Sequence, residues 1–214
     1  LAAHRDFPVR VPRPFLAKIE KGNPDDPLLK QILPVAAETR TVTGFVADPL
    51  GERSANRETG LLHKYKSRVL LVLGGTCAIN CRYCFRRHFP YEDNRLGSDD
   101  FARIQTYLLD QPEVNEVILS GGDPLVISNA RLSALLDLIE AVPHISRLRI
   151  HTRLPVVIPQ RVDQGLLQRL GESRLNCVLV THCNHPQELD ADFDLAMNLL
   201  KRQGVTLLNQ AVLL

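Results

Sequence analysis

Three of the five cysteines in this chain, Cys77, Cys81 and Cys84, fall in the spacing C-x3-C-x2-C. Thiolates so close together can wrap around one soft metal centre, because a short loop carries them to a common point. The surrounding stretch, GGTCAINCRYCFRRHFPYEDN from Gly74 to Asn94, holds no fourth cysteine. A [4Fe–4S] cluster normally takes four cysteines. Three would leave one iron with an open position for a small molecule, and open positions distinguish catalytic from structural metal sites. With His88 the same cysteines also fit a Cys3His zinc knuckle, a site with no open position. A disulfide reading is weaker: three clustered cysteines cannot all pair, and nothing else indicates an oxidising compartment.

These residues need a scaffold, and the chain changes rhythm just before them. Val69–Leu73 is a continuous apolar run followed by Gly-Gly, as expected of a strand buried on both faces. Further strands are predicted at Val114–Leu119, Leu148–His151, Cys177–Thr181 and Val205–Gln210. Helices are predicted at Ser98–Asp110, Ala130–Ala141, Val162–Leu170 and Leu189–Gln203. Strand and helix alternating in this way predict a parallel sheet of right-handed βαβ units. Residues 1–67 form a Pro-rich arm, with short helices predicted from Arg13 to Lys21 and from about Asp26 to just before Pro34. Residues 68–214 form the core domain.

The polar clusters follow the strands. The cysteine loop comes after the first, Ser-Gly-Gly-Asp-Pro after the second, His151-Thr-Arg-Leu-Pro after the third, and His182 to His185 after the fourth; Asn209 and Gln210 end the fifth. Parallel α/β folds build their active sites at that edge of the sheet. Gly121-Gly122-Asp123-Pro124 reads by itself as a strand-to-helix turn. Arg86 and Arg87 read as solvated charge or as partners for a carboxylate. Lys64, Tyr65 and Arg68 read as surface charge, His182 as a hydrogen-bonded core histidine, and Cys177 and Cys183 as buried core.

The C-x3-C-x2-C spacing with Tyr83 before the last cysteine resembles the signature of the radical S-adenosylmethionine (SAM) superfamily. CRYCFRRHFPY is similar to its lysine 2,3-aminomutase branch. Within that branch it is similar to the enzymes that make (R)-β-lysine for modification of translation elongation factor P. The likeness extends through KIEKGNPDDPLLKQILP, GLLHKYKSRVLL, LSGGDPL, RLRIHTRLPVVIPQRV, THCNHPQE and GVTLLNQAVLL. It implies a partial (β/α)6 TIM-like barrel, with about five β/α units present here. It implies a [4Fe–4S] cluster on Cys77, Cys81 and Cys84, and SAM against Gly121, Gly122, Asp123, His182 and Gln210. Arg86 would grip the carboxylate of the substrate lysine. Lys64, Tyr65 and Arg68 would contribute to a pyridoxal phosphate (PLP) site, Arg153 would anchor SAM or the barrel rim, and the lysine that binds PLP would lie beyond Leu214. The implied chemistry is one-electron cleavage of SAM, hydrogen abstraction from lysine, and migration of its amino group from C2 to C3. The implied partners are free L-lysine, an electron donor such as a flavodoxin or ferredoxin, and, functionally, elongation factor P with its lysyl-ligase-like modifying enzyme. A catabolic lysine aminomutase shares the same motifs.

Composition agrees with this. The 214 residues suffice for one domain with a sizeable core. A formal net charge of +2 gives no argument for nucleic acid or a membrane surface. No apolar run approaches the roughly 18 residues of a transmembrane helix, and the charged, Pro-rich start is unlike a signal peptide. A cytoplasmic enzyme is expected. The missing initiating Met and the apolar VLL end suggest a piece of a longer chain.

Overall fold

The computed structural model describes residues 7–40, 42–46, 48–91, 94, 96–97 and 100–212. These form one sheet of seven strands: β1 (Asn56–Glu58), β2 (Leu61–Tyr65), β3 (Arg68–Val72), β4 (Glu116–Ser120), β5 (Arg147–Thr152), β6 (Asn176–Thr181) and β7 (Thr206–Asn209). Spatial order equals chain order. The pairs β1–β2 and β2–β3 are antiparallel, and every pair from β3 to β7 is parallel. Consecutive parallel strands in chain order are the winding of a TIM-like barrel. Here β1 and β7 are the two edges, so the fold is an open, partial barrel.

The helices, in chain order, are α1 (Arg13–Leu16), α2 (Leu29–Ile32), α3 (Glu52–Ala55), α4 (Asp100–Leu109), α5 (Asn129–Glu140), α6 (Leu154–Val157), α7 (Gln164–Gly171) and α8 (Ala191–Arg202). The long ones start at side-chain caps. Ser128 accepts from Arg131 N, Asp163 from Leu166 N and Asp190 from Phe193 N, each cap contributing roughly 1 kcal/mol. Their apolar stripes, such as Ala196 and Leu200 on α8, join one core with the sheet.

The core elements fall where the apolar pattern predicts them, shifted by a residue or two. Helix α7 starts at Gln164 rather than Val162 because Asp163 caps it. The predicted start of α4 at Ser98 lies outside the described residues.

The arm differs more. Both predicted helices shrink to four residues, because prolines crowd them and Asp26 already caps Leu28 N and Leu29 N at 2.8 and 2.9 Å. Two strands, β1 and β2, extend the sheet into the arm. The pattern in LLHKY is obscured because Leu61 and Leu62 are both buried while Lys64 and Tyr65 are exposed. Gly60 between NRE and LLHKY is the hairpin signal that reveals them.

Candidate active site

The loop after β3 and the turn after β4 dock backbone to backbone. Gly122 N donates to Gly74 O at 2.6 Å and Asp123 N donates to Thr76 O at 2.9 Å. A Cβ on Gly122 would sit 2.4 Å from Thr76 O, and one on Gly121, whose φ is +120°, would sit 2.7 Å from Gly74 O. The two glycines therefore let the cysteine loop lie against the turn. The Gly121 carbonyl accepts Tyr91 OH at 2.8 Å.

Asp123 lines the same cavity as the three cysteines, and its carboxylate is engaged by protein donors. Its carboxylate accepts Thr152 Oγ1 and the backbone N–H groups of Leu125, Arg153 and Leu154, at 2.6–3.0 Å. It ties the β4 turn to the β5 turn, and burial pushes its pKa up against the pull of those four donors.

Outside the loop, the arm acts as a strap. Asn80 N donates to Arg10 O, Arg10 Nη1 to Cys77 O and Arg82 N to Gln31 O, at 2.8–3.1 Å. The result is a cavity of about 130 Å³ lined by all three thiols together with Gly121, Gly122, Arg153, His182 and Gln210. Burial pushes the Cys77 and Cys84 thiols up, and Asp123 adds to this at Cys77, so metal binding must supply the charge that deprotonates them. Among the described residues no three His, Cys, Asp or Glu side chains are arranged to hold a single metal ion. A cluster spreads its ligands over three iron corners, so thiols that share a cavity wall suit it without meeting at a point. His88, the fourth ligand of the zinc reading, is exposed and does not line the cavity.

His182 has a buried Nε2 with no hydrogen-bond partner, a group left for a ligand. Burial holds its pKa down at about 4, helped by the neighbouring His151, whose ring centroid lies 5.9 Å away. The imidazole is thus neutral near pH 7.

A second cavity, about 260 Å³, shares Arg86, Ser120, His151, His182 and Gln210 with the first. It adds Glu52, Lys64, Tyr65 and Arg68, so the residues expected near PLP do converge beside those expected near SAM. Arg68 lies 5.4 Å over the Tyr65 ring with its Nε unpartnered, while Lys64 Nζ donates to Leu50 O. Arg86 is buried and already paired: Nε and Nη2 grip Glu52, and Nη1 donates to Ser120 Oγ at 2.7 Å.

Sequence reasoning missed Glu52 and Ser120, and gave His151 no role. Only their placement after or beside strands flags them. Cys177 is buried as expected, but Cys183 is half-buried because it lies in the loop past β6 rather than in the strand.

The mostly parallel sheet carries its three clustered cysteines in the loop that follows β3, and the pattern of the Radical SAM superfamily matches residues 71–200. The chain belongs to that superfamily, and membership implies a [4Fe–4S] cluster and SAM. More particularly, it is 50% identical over its whole length to the L-lysine 2,3-aminomutase of Haemophilus influenzae, covering 63% of that protein. It is likewise 50% identical, over 213 residues, to the L-lysine 2,3-aminomutase of Escherichia coli, covering 62% of it. The L-lysine 2,3-aminomutase of Clostridium subterminale is 36% identical over 94% of this chain, which spans 48% of that relative. The chain therefore spans between about half and two thirds of the length of these relatives.

Proposed function

We propose that these residues are the SAM-cleaving part of a lysine 2,3-aminomutase that converts L-lysine to β-lysine. The observation that carries this reading is the pair of adjoining cavities, one lined by three thiols and the other by Lys64, Tyr65 and Arg68, with Arg86 and the unpartnered His182 Nε2 on their shared wall. The likeness to L-lysine 2,3-aminomutases over the whole chain supports the substrate. Cys77, Cys81 and Cys84 would hold a [4Fe–4S] cluster. His182 and Gln210 would meet SAM, and the Gly121–Gly122 turn would hold the cysteine loop against it. Arg86 would meet the lysine carboxylate, and Lys64, Tyr65 and Arg68 would line the space for PLP. When bound, the cluster and SAM supply a carbon radical, and PLP supplies the conjugated system across which the amino group moves. The protein's part is to exclude water and fix the lysine by its carboxylate.

The RRHFPY and EKGNPDDPL segments favour (R)-β-lysine production for elongation factor P, in the cytoplasm, with reduction by a flavodoxin or ferredoxin. No helix among the described residues is long and apolar enough to cross a membrane. The test is anaerobic reconstitution of the full-length protein that contains these residues with iron and sulfide, followed by dithionite, SAM, PLP and L-lysine. Chiral analysis should find (R)-β-lysine. The (S) product would favour the catabolic version, and absence of methionine release from SAM would contradict the reading.

A further inference from the structure

Arg153 follows β5 and, like Arg86, lines the cysteine cavity. It is 4% exposed. Its Nη1 donates to Cys81 Sγ at 2.9 Å and to Tyr83 OH; its Nη2 donates to Gln31 Oε1 at 2.6 Å and to Glu188 Oε2 at 3.2 Å. The guanidinium also lies 5.3 Å over the Phe15 ring and 5.7 Å over that of Tyr83. Both Nη groups are committed to protein atoms, and of its three nitrogens only the buried Nε has no partner. Its carboxylate partner, Glu188, is fully buried, and Glu188 Oε1 already accepts Gln31 Nε2 and the N–H groups of Asn184 and His185 at 2.9–3.0 Å. Glu188 meets Arg153 at Nη2 while Cys81 meets it at Nη1, so the cation is only partly offset where it meets the sulfur.

Resting on the cluster reading above, we propose that Arg153 is a positioning residue that sets the cluster's reduction potential through Cys81, with Glu188 as its counterweight. An N–H donated to a ligating sulfur, and a buried positive charge beside it, stabilise the reduced and more negative cluster and raise its potential. Gln31 and Phe15 belong to the arm, so the arm holds the tuning group in place. Its contribution to the site is therefore electrostatic as well as mechanical.

The test is an EPR-monitored redox titration of the cluster in anaerobically reconstituted wild-type, Arg153→Gln, Arg153→Lys and Glu188→Gln proteins, with iron and sulfide measured in each. Arg153→Gln should shift the midpoint potential to more negative values, Arg153→Lys should shift it less, and Glu188→Gln should shift it to more positive values. An unchanged potential in Arg153→Gln at full iron content would overturn the proposal. Should Arg153→Gln take up no iron, Glu188→Gln decides: a positive shift supports the proposal, and no shift overturns it. Iron loss from both would assign the pair a purely structural role and also overturn it. A wild-type protein that takes up no iron and sulfide would instead overturn the cluster reading itself.

Discussion

Arg86 and Glu52 meet edge to edge, Nε at 2.8 Å from Oε2 and Nη2 at 2.6 Å from Oε1, with side chains only 7% and 11% exposed. Glu52 takes the Nε–Nη2 side of the guanidinium and Ser120 Oγ accepts from Nη1, where Arg86 lines both cavities. Glu52 thereby orients the arginine.

In the full-length protein Arg86→Ala should therefore weaken lysine binding while leaving iron content and SAM binding in place. A charge-assisted hydrogen bond at a shielded site is worth about 1.5–3 kcal/mol, so affinity should fall about ten- to a hundredfold. Calorimetric titration with lysine measures this. Glu52→Ala should also weaken binding, and removing one partner of a buried pair should lower stability by about 3–5 kcal/mol. Tighter lysine binding in Glu52→Ala would mean that Glu52 competes with the substrate.

Gly122→Ala should fold poorly around the cysteine loop and lose cluster uptake, because the new methyl group meets a backbone oxygen that cannot swing aside. Gly204→Ala is the comparison. Its φ is +79° with open space around the Cβ, so it should cost roughly 1–2 kcal/mol of backbone strain and leave iron content unchanged. Equal iron loss in both variants would separate the glycine turn from the cluster site.

His182 should make the fold acid-sensitive. In the folded protein it takes up a proton only at about 4, whereas the unfolded chain does so near 6.5. Between those values the unfolded state binds more protons, so stability falls as pH falls through that window. Urea unfolding at about pH 7 and about pH 5 should show a smaller loss in His182→Gln than in the wild type. Equal losses would mean that this histidine is solvated.

Much of the core was legible because strands buried on both faces read as continuous apolar runs. Val69–Leu73 and Cys177–Thr181 located β3 and β6 to within a residue. The cysteine triad was legible because its spacing is local. What was not legible depends on pairings across the chain. Glu52 lies 34 positions from Arg86, and Gln31 lies 122 from Arg153; nothing in either local pattern announces its partner. The role of the Gly121–Gly122 turn was likewise hidden, since only the approach of the Gly74–Thr76 backbone explains why side chains are excluded there.

The most direct measurement is the iron and sulfide content of the anaerobically reconstituted protein, compared with Cys77→Ala, Cys81→Ala, Cys84→Ala and Cys177→Ala. The wild type and Cys177→Ala should each hold about four iron and four sulfide per chain, with broad absorption near ~400 nm, and the other three variants should lose both the cluster and SAM cleavage. One zinc per chain and no sulfide, or equal iron loss from all four variants, would contradict a cluster on Cys77, Cys81 and Cys84.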